Sequence, residues 1–282
     1  MEKYDWNWYA EAMSRQRDRN RRGLKPLLNL ISRVDALAQA IVTRPSSPVS
    51  DRPQDYVGSL FATRVLRSTI SAVDSVLAGY GETAYNLQRT IWEIGVRSAF
   101  IGLNDPVGGS FGLLLDSTER NRQMLQASLE YRQAVGAPIG NLGHNLQART
   151  RFGEELANKA SSFGYRPNDL VSRYAHKSIK KIADELGIQS GYEVTFAWLS
   201  GYVHDRFEGA DDFTLTTEER RGFIFGPLPI GRNERRAELL DTLQESALAL
   251  RGIISLVGEH ELEHTGDELL NEIKAVDPVP EF

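Results

Sequence analysis

An all-α fold, a multi-helix antiparallel bundle of about eight or nine helices with little or no sheet, is what this sequence predicts. Three observations lead there. Apolar residues recur at helical spacing over most of the chain. Breakers stand between the periodic stretches: Arg44-Pro45-Ser46-Ser47-Pro48 as a linker, Gly79-Tyr80-Gly81 as a tight connection, and Gly136-Ala137-Pro138 as another. Continuous strand-like alternation is scarce.

Taken in order, the periodicity predicts helices over 5–21, 26–43, 56–79, 82–103, 110–132, 139–163, 168–186, 190–205 and 232–262. Asn168, just after Pro167 and ahead of an apolar-periodic run, stands where a helix cap would. Gly222-Phe223-Ile224-Phe225-Gly226-Pro227-Leu228-Pro229-Ile230 is the one strand candidate. It reads better as an extended loop, because its prolines withhold ladder donors. No internal repeat is visible, and the tail from Val276 to Phe282 reads as disordered. The organisation expected is N-terminal helices with a basic segment over 1–44, a bundle core over 56–262, and an acidic, partly disordered tail over 263–282. Helices 56–79, 82–103, 139–163 and 190–205 are expected to form the centre, with 26–43 and 232–262 packed around them.

Composition bounds the function. The 282 residues are 41% hydrophobic and 25% charged, so the chain can bury a core without staples. A formal charge of -5 gives no global attraction to nucleic acid or anionic membrane. With no cysteine, disulfides, thiolate nucleophiles, Cys-ligated zinc and iron–sulfur clusters are excluded. The first residues carry no apolar signal core, and no apolar run approaches membrane-spanning length, so the expected location is the cytoplasm.

Two polar pairs stand inside apolar helical sequence. On a wheel of residues 84–103 the apolar arc covers more than half the circumference, leaving a stripe of Asn86, Arg89, Thr90, Glu93 and Arg97. Arg89 and Glu93, four apart, share a face and can form an exposed ion pair, a buried pair fixing helix register, or part of a site. On residues 192–205 the apolar centre is Tyr192, Phe196, Leu199 and Val203, with Ser200 and His204 on one flank beside Ala197 and Gly201. Small neighbours admit another helix closely, and His is the side chain that exchanges a proton near neutral pH.

These segments, Arg89-Thr90-Ile91-Trp92-Glu93 and Leu199-Ser200-Gly201-Tyr202-Val203-His204, resemble the paired signatures of an uncharacterised, largely bacterial helical family. That family joins an Arg-Ser/Thr-x-x-Glu helix to a Leu-Ser-x-x-x-His helix some hundred residues later. The resemblance covers about residues 56–105 and 168–206. It implies a helical fold and a residue cluster of Arg89, Glu93, Ser200 and His204, and no particular reaction. Helical HEPN-type ribonucleases, by contrast, carry Arg and His on one helix with four to six residues between. No Arg stands at that distance before His144, His176, His204, His260 or His264.

Other motif matches are weaker. His260-Glu261-Leu262-Glu263-His264 fits H-E-x-x-H, but the candidate third ligands Asp267, Glu268 and Glu272 lie on or just past the same helix, and the segment is crowded with acids. No metal and no cofactor is therefore expected. Arg15, Arg17, Arg19, Arg21, Arg22 and Lys25 follow the aromatics Tyr4, Trp6, Trp8 and Tyr9. That run reads as the solvated side of a docked amphipathic helix or a contact between copies, with a weaker case for gripping nucleic acid. Gly108-Gly109-Ser110-Phe111-Gly112 lacks the Lys-Ser/Thr of a phosphate loop and reads as a flexible turn.

The expectation is a helical binding or interaction module whose cluster Arg89/Glu93/Ser200/His204 lies between two core helices. The alternative is a metal-independent ribonuclease-like or other phosphodiester-hydrolysing effector of bacterial stress or phage defence. There His204 would be general acid/base, Arg89 would hold the phosphate and Glu93 would orient one of them.

Overall fold

The structure, a computed structural model, describes residues 6–44, 46–197, 214–217, 220–225 and 232–276. In chain order these form α1 (Trp6–Gly23), α2 (Lys25–Val42), α3 (Pro53–Ala78), α4 (Gly81–Asn104), α5 (Pro106–Ala134), α6 (Leu142–Ser162), the single turn α7 (Pro167–Leu170), α8 (Ile179–Leu186) and the short α9 (Gln189–Gly191). After them come β1 (Thr214–Thr217), β2 (Arg220–Phe225), α10 (Arg232–Val257) and α11 (His260–Ala275). π-helical turns continue α7 over Val171–Ala175 and α9 over Tyr192–Ala197. The fold is all-α, with one two-stranded antiparallel hairpin as its only sheet among the described residues.

The centre is a three-helix unit of α3, α4 and α10, flanked on two sides. One apolar cluster joins it to α2 and α11 through Leu27, Val34, Ile41, Leu269 and Ile273. A second joins α4 to α5, α6 and α8 through Phe100, Phe111, Leu156, Tyr174 and Ile182. Sequence reasoning put 139–163 in the centre and 232–262 outside it; the packing reverses these roles. Only Leu156 and Ala160 of α6 are buried, whereas α10 buries Leu239, Leu243, Leu250, Ile253 and Ile254.

Helices α4 and α10 meet almost backbone to backbone. A Cβ added to Gly95 would lie 2.7 Å from Ala249 Cα, one on Gly102 would lie 2.7 Å from the Leu256 nitrogen, and one on Gly252 would overlap the Gly95 carbonyl. Such an approach tolerates no added volume. Polar rungs cross the same unit. Thr69 and Ser246 share a 2.6 Å hydrogen bond, Gln88 Nε2 donates to Thr242 Oγ1 at 2.8 Å, and the Tyr85 hydroxyl donates to Glu238 Oε1 at 3.1 Å. Buried groups satisfied in this way fix the register of the three helices.

Several boundaries differ from the sequence reading, each for a local reason. The predicted 232–262 helix stops at Gly258, whose φ of +73° suits glycine and ends α10 before α11 starts. The 168–186 helix breaks after the π turn and restarts at Ser178, whose Oγ accepts from the Lys181 amide at 3.4 Å. Asn168 is not the cap: Pro167 takes the first helical position and Arg166 precedes it in extended conformation. Residues Gly108 to Gly112 are no flexible turn but the buried first turns of α5, where Gly109 packs on Ile101 and Gly112 on the Leu170 carbonyl. The loop reading gives way over 222–225, which belong to β2, while 226–230 lie outside the described residues. No helix among the described residues is long and apolar enough to cross a membrane.

Candidate functional site

One member of the polar stripe of α4, Arg97, reaches the π turn Val171–Ala175. Arg97 is largely covered there, and its Nη1 donates to the carbonyl oxygens of Tyr174 at 2.9 Å and Ala175 at 3.4 Å, with Nη2 reaching that of Lys177 at 3.5 Å. A π turn leaves carbonyls without regular helical partners, and this guanidinium supplies the donors. Burial pulls the Arg97 pKa down, opposed by the nearby carboxylates of Glu93 and Asp116. Glu93 lies 3.9 Å from Arg97 and is half-exposed. Arg97→Ala is accordingly expected to lose about 3 kcal/mol of stability by stranding buried carbonyls. Glu93→Gln should lose only a few tenths. Urea melts of both variants check this, and equal losses would contradict it.

Of the four residues singled out from sequence, Arg89 and Glu93 lie half-buried on α4, one turn apart. Ser200 and His204 lie outside the described residues. The last described turns before them, Tyr192–Ala197, do reach α4: the Tyr192 ring stands 6.4 Å from that of Trp92.

Beside Trp92 a groove of about 630 Å³ opens along the α4–α10 seam. Trp92, Val96, Ala99 and Leu103 line it from α4, Leu186, Ile188 and Thr195 from the α8–α9 side, and Glu245, Leu248 and Ala249 from α10. Its floor is the small-residue contact of Gly95 with Gly252. Within this mostly apolar lining, Glu245 Oε2 is buried with no hydrogen-bond partner among the described residues. Burial, reinforced by the negative charge of Asp241 one turn earlier, pushes the Glu245 carboxyl up to about 7. Arg251, also on the lining, is held by Asp267 at 2.9 Å, so it does not neutralise Glu245. Sequence reasoning missed Glu245. The available signal was an acid in the same helical stretch as Leu239, Leu243, Leu250 and Ile254.

A second, polar cleft of about 840 Å³ lies between α5, α6 and the π turn after α7. Asp116 there joins His176 Nε2 at 3.0 Å and Arg120 Nε at 2.9 Å. His176 is half-exposed. At the start of α5, Asp105 caps the Gly108 amide at 2.9 Å and accepts from the Tyr165 hydroxyl, which burial and that bond push up to about 12.

The remaining sequence candidates lie apart from both openings or on their edges. His260 and His264 are solvent-exposed at the start of α11, each beside a carboxylate of its own helix, Glu263 at 3.1 Å and Glu268 at 3.4 Å. No group of three or more His, Asp or Glu side chains among the described residues is placed to hold a metal ion. Arg15, Arg17, Arg19, Arg21 and Arg22 are exposed along α1. That helix is anchored by Asn20, whose Nδ2 donates to the Leu77 carbonyl at 2.7 Å and whose Oδ1 accepts from Arg235 at 2.9 Å.

Fold and groove together define an all-α helical-bundle protein with an interhelical opening. The chain belongs to a family of unknown function, DUF5677, whose model matches residues 55–222. That stretch holds Arg89, Trp92 and Glu93, while Glu245 lies beyond it. Searches of the curated proteins and of the solved structures return no match.

Proposed function

We propose that this protein is a helical binding module whose ligand occupies the groove between α4 and α10, and that the ligand is a small, largely apolar molecule carrying an amine. The observation that carries this reading is the Glu245 carboxylate, whose Oε2 is buried without a hydrogen-bond donor among the described residues, in a mostly apolar opening. An unsatisfied buried acceptor costs about 1–3 kcal/mol, and more when charged, so a donor brought to Oε2 is favoured. A ligand ammonium supplies both the missing donor and the opposite charge, while its apolar body covers Trp92, Val96 and Leu248. The groove's size falls within the range of small-molecule sites. Of the first signature segment Trp92 lines the groove, and Arg89 and Glu93 stand on the same helix.

The test is a pair of probes of similar shape and opposite charge, 4-phenylbutylamine and 4-phenylbutyrate. The amine is expected to raise the melting temperature of the wild type at pH 7.5 and the acid to leave it unchanged. Glu245→Gln should lose most of the amine's effect. Equal shifts from both probes, or an amine shift that survives Glu245→Gln, would remove the basis for the reading.

A further inference from the structure

Helices α5 and α6 extend past the core as a paired arm: from Glu119 to Glu155 no residue is buried. Leu125 and Leu129 of α5, with Leu142 and Leu146 of α6, are half-covered, as the inside of such a hairpin should be. The outer side of α5 is the anomaly. Met124, Ala127, Ser128, Tyr131, Ala134 and Val135 follow the spacing of a helix–helix seam, and all six are exposed. Met124 is 63% exposed, Tyr131 68% and Val135 55%, three of the most open large apolar residues among those described. No charged residue interrupts the stripe, and soluble helices seldom turn so continuous an apolar line to water.

We propose that this stripe is the contact through which two copies of the chain associate, α5 lying antiparallel on α5. Four of the six stripe residues pair with one another about an axis between Ala127 and Ser128, while Ala134 and Val135 fall opposite the partner's Asn121 and the partner's Arg120 at the ends. Met124 then faces the partner's Tyr131, and Ala127 faces the partner's Ser128, small residues that let the helices approach at the centre. Arg132 comes opposite the partner's Gln123 and Glu130 opposite the partner's Leu125, so no like charges oppose each other. That matters for two chains of formal charge -5 each. The mutually apolar part, Met124 to Tyr131, is only about 11 Å long at 1.5 Å per residue. So short a seam falls below the roughly 800 Å² per partner of a standard interface, and the association is a weak one.

The chain has no cysteine, which makes the test direct. Ser128→Cys places a thiol beside the axis, and Asn158→Cys, exposed on α6, serves as control. Under mild oxidation at about 100 µM, Ser128→Cys should form covalent dimer on the order of tenfold faster than the control. Sedimentation of the wild type should show the weight-average mass rising with concentration, and Met124→Glu with Tyr131→Glu should abolish the rise while leaving the helical signal and melting temperature unchanged. A wild type that stays monomeric to several hundred micromolar, or equal cross-linking of the two cysteine variants, would overturn the proposal.

Discussion

Leucine in place of Gly252 is expected to lower the unfolding free energy by about 3–5 kcal/mol, at the upper end of overpacking effects. The magnitude follows from what surrounds the site. Even a single Cβ there would overlap the Gly95 carbonyl, and backbone, unlike the end of a flexible side chain, cannot rotate aside. To admit leucine, α4 and α10 must separate, and separation also strains the Gln88–Thr242 and Thr69–Ser246 rungs. Against a typical total of 5–15 kcal/mol the variant would be partly unfolded near body temperature. Gly143 is the control, since a Cβ there meets nothing within 4 Å and its helix α6 is peripheral. Gly143→Ala should be neutral or stabilising by up to about 1 kcal/mol. Urea titration of the two variants measures the contrast, and a Gly252→Leu protein as stable as wild type would show that the seam is looser than described.

The second large effect concerns charge. Replacing Glu245 with glutamine is expected to stabilise the unliganded protein at pH 8, by about 2–3 kcal/mol. The sign follows from the direction of the shift. An ordinary glutamate titrates near 4.5 in the unfolded chain, whereas burial raises Glu245 to about 7 in the folded one. Below pH 4.5 both states are protonated and the residue costs nothing. As the pH rises from 4.5 to 7 the unfolded chain ionises first, so folding stability falls, and above 7 the full penalty remains. The two proteins should therefore melt alike at pH 4 and diverge steadily to pH 7. Partial solvent contact of the side chain keeps the figure below the full value of the shift. Parallel melts across pH 4–8 test it, and a difference independent of pH would mean that Glu245 is not the group responsible.

How far the sequence revealed this molecule depends on which physical signal each part carries. Helix periodicity located α1 to α6 to within a few residues, because proline and glycine at their ends act locally. The centre of the bundle was misplaced for a different reason. The small residues Gly95, Gly102, Ala249 and Gly252 look unremarkable on a wheel, yet they permit the closest contact in the fold, and only a second helix gives them meaning. The π turn was likewise illegible: Val171–Ala175 has ordinary helical composition, and its irregularity is held by Arg97 from a helix far away in sequence. Arg97 stood in the recognised polar stripe, but as one member among five, with nothing local to distinguish a covered guanidinium from a solvated one. Glu93 was legible and is half-exposed beside it. Glu245 was not singled out, since an acid on a long helix is ordinarily solvated, and its burial is a product of tertiary packing alone.

The groove reading rests on Glu245 being a buried carboxyl that waits for a donor. Carboxyl-carbon NMR titration of that residue, free and with saturating 4-phenylbutylamine, measures this most directly. The free protein should show a midpoint near 7, and the amine should draw it down toward 4.5, because a bound ammonium favours the charged form. A midpoint already near 4.5 in the free protein, or one near 7 that the amine leaves in place, would contradict the account.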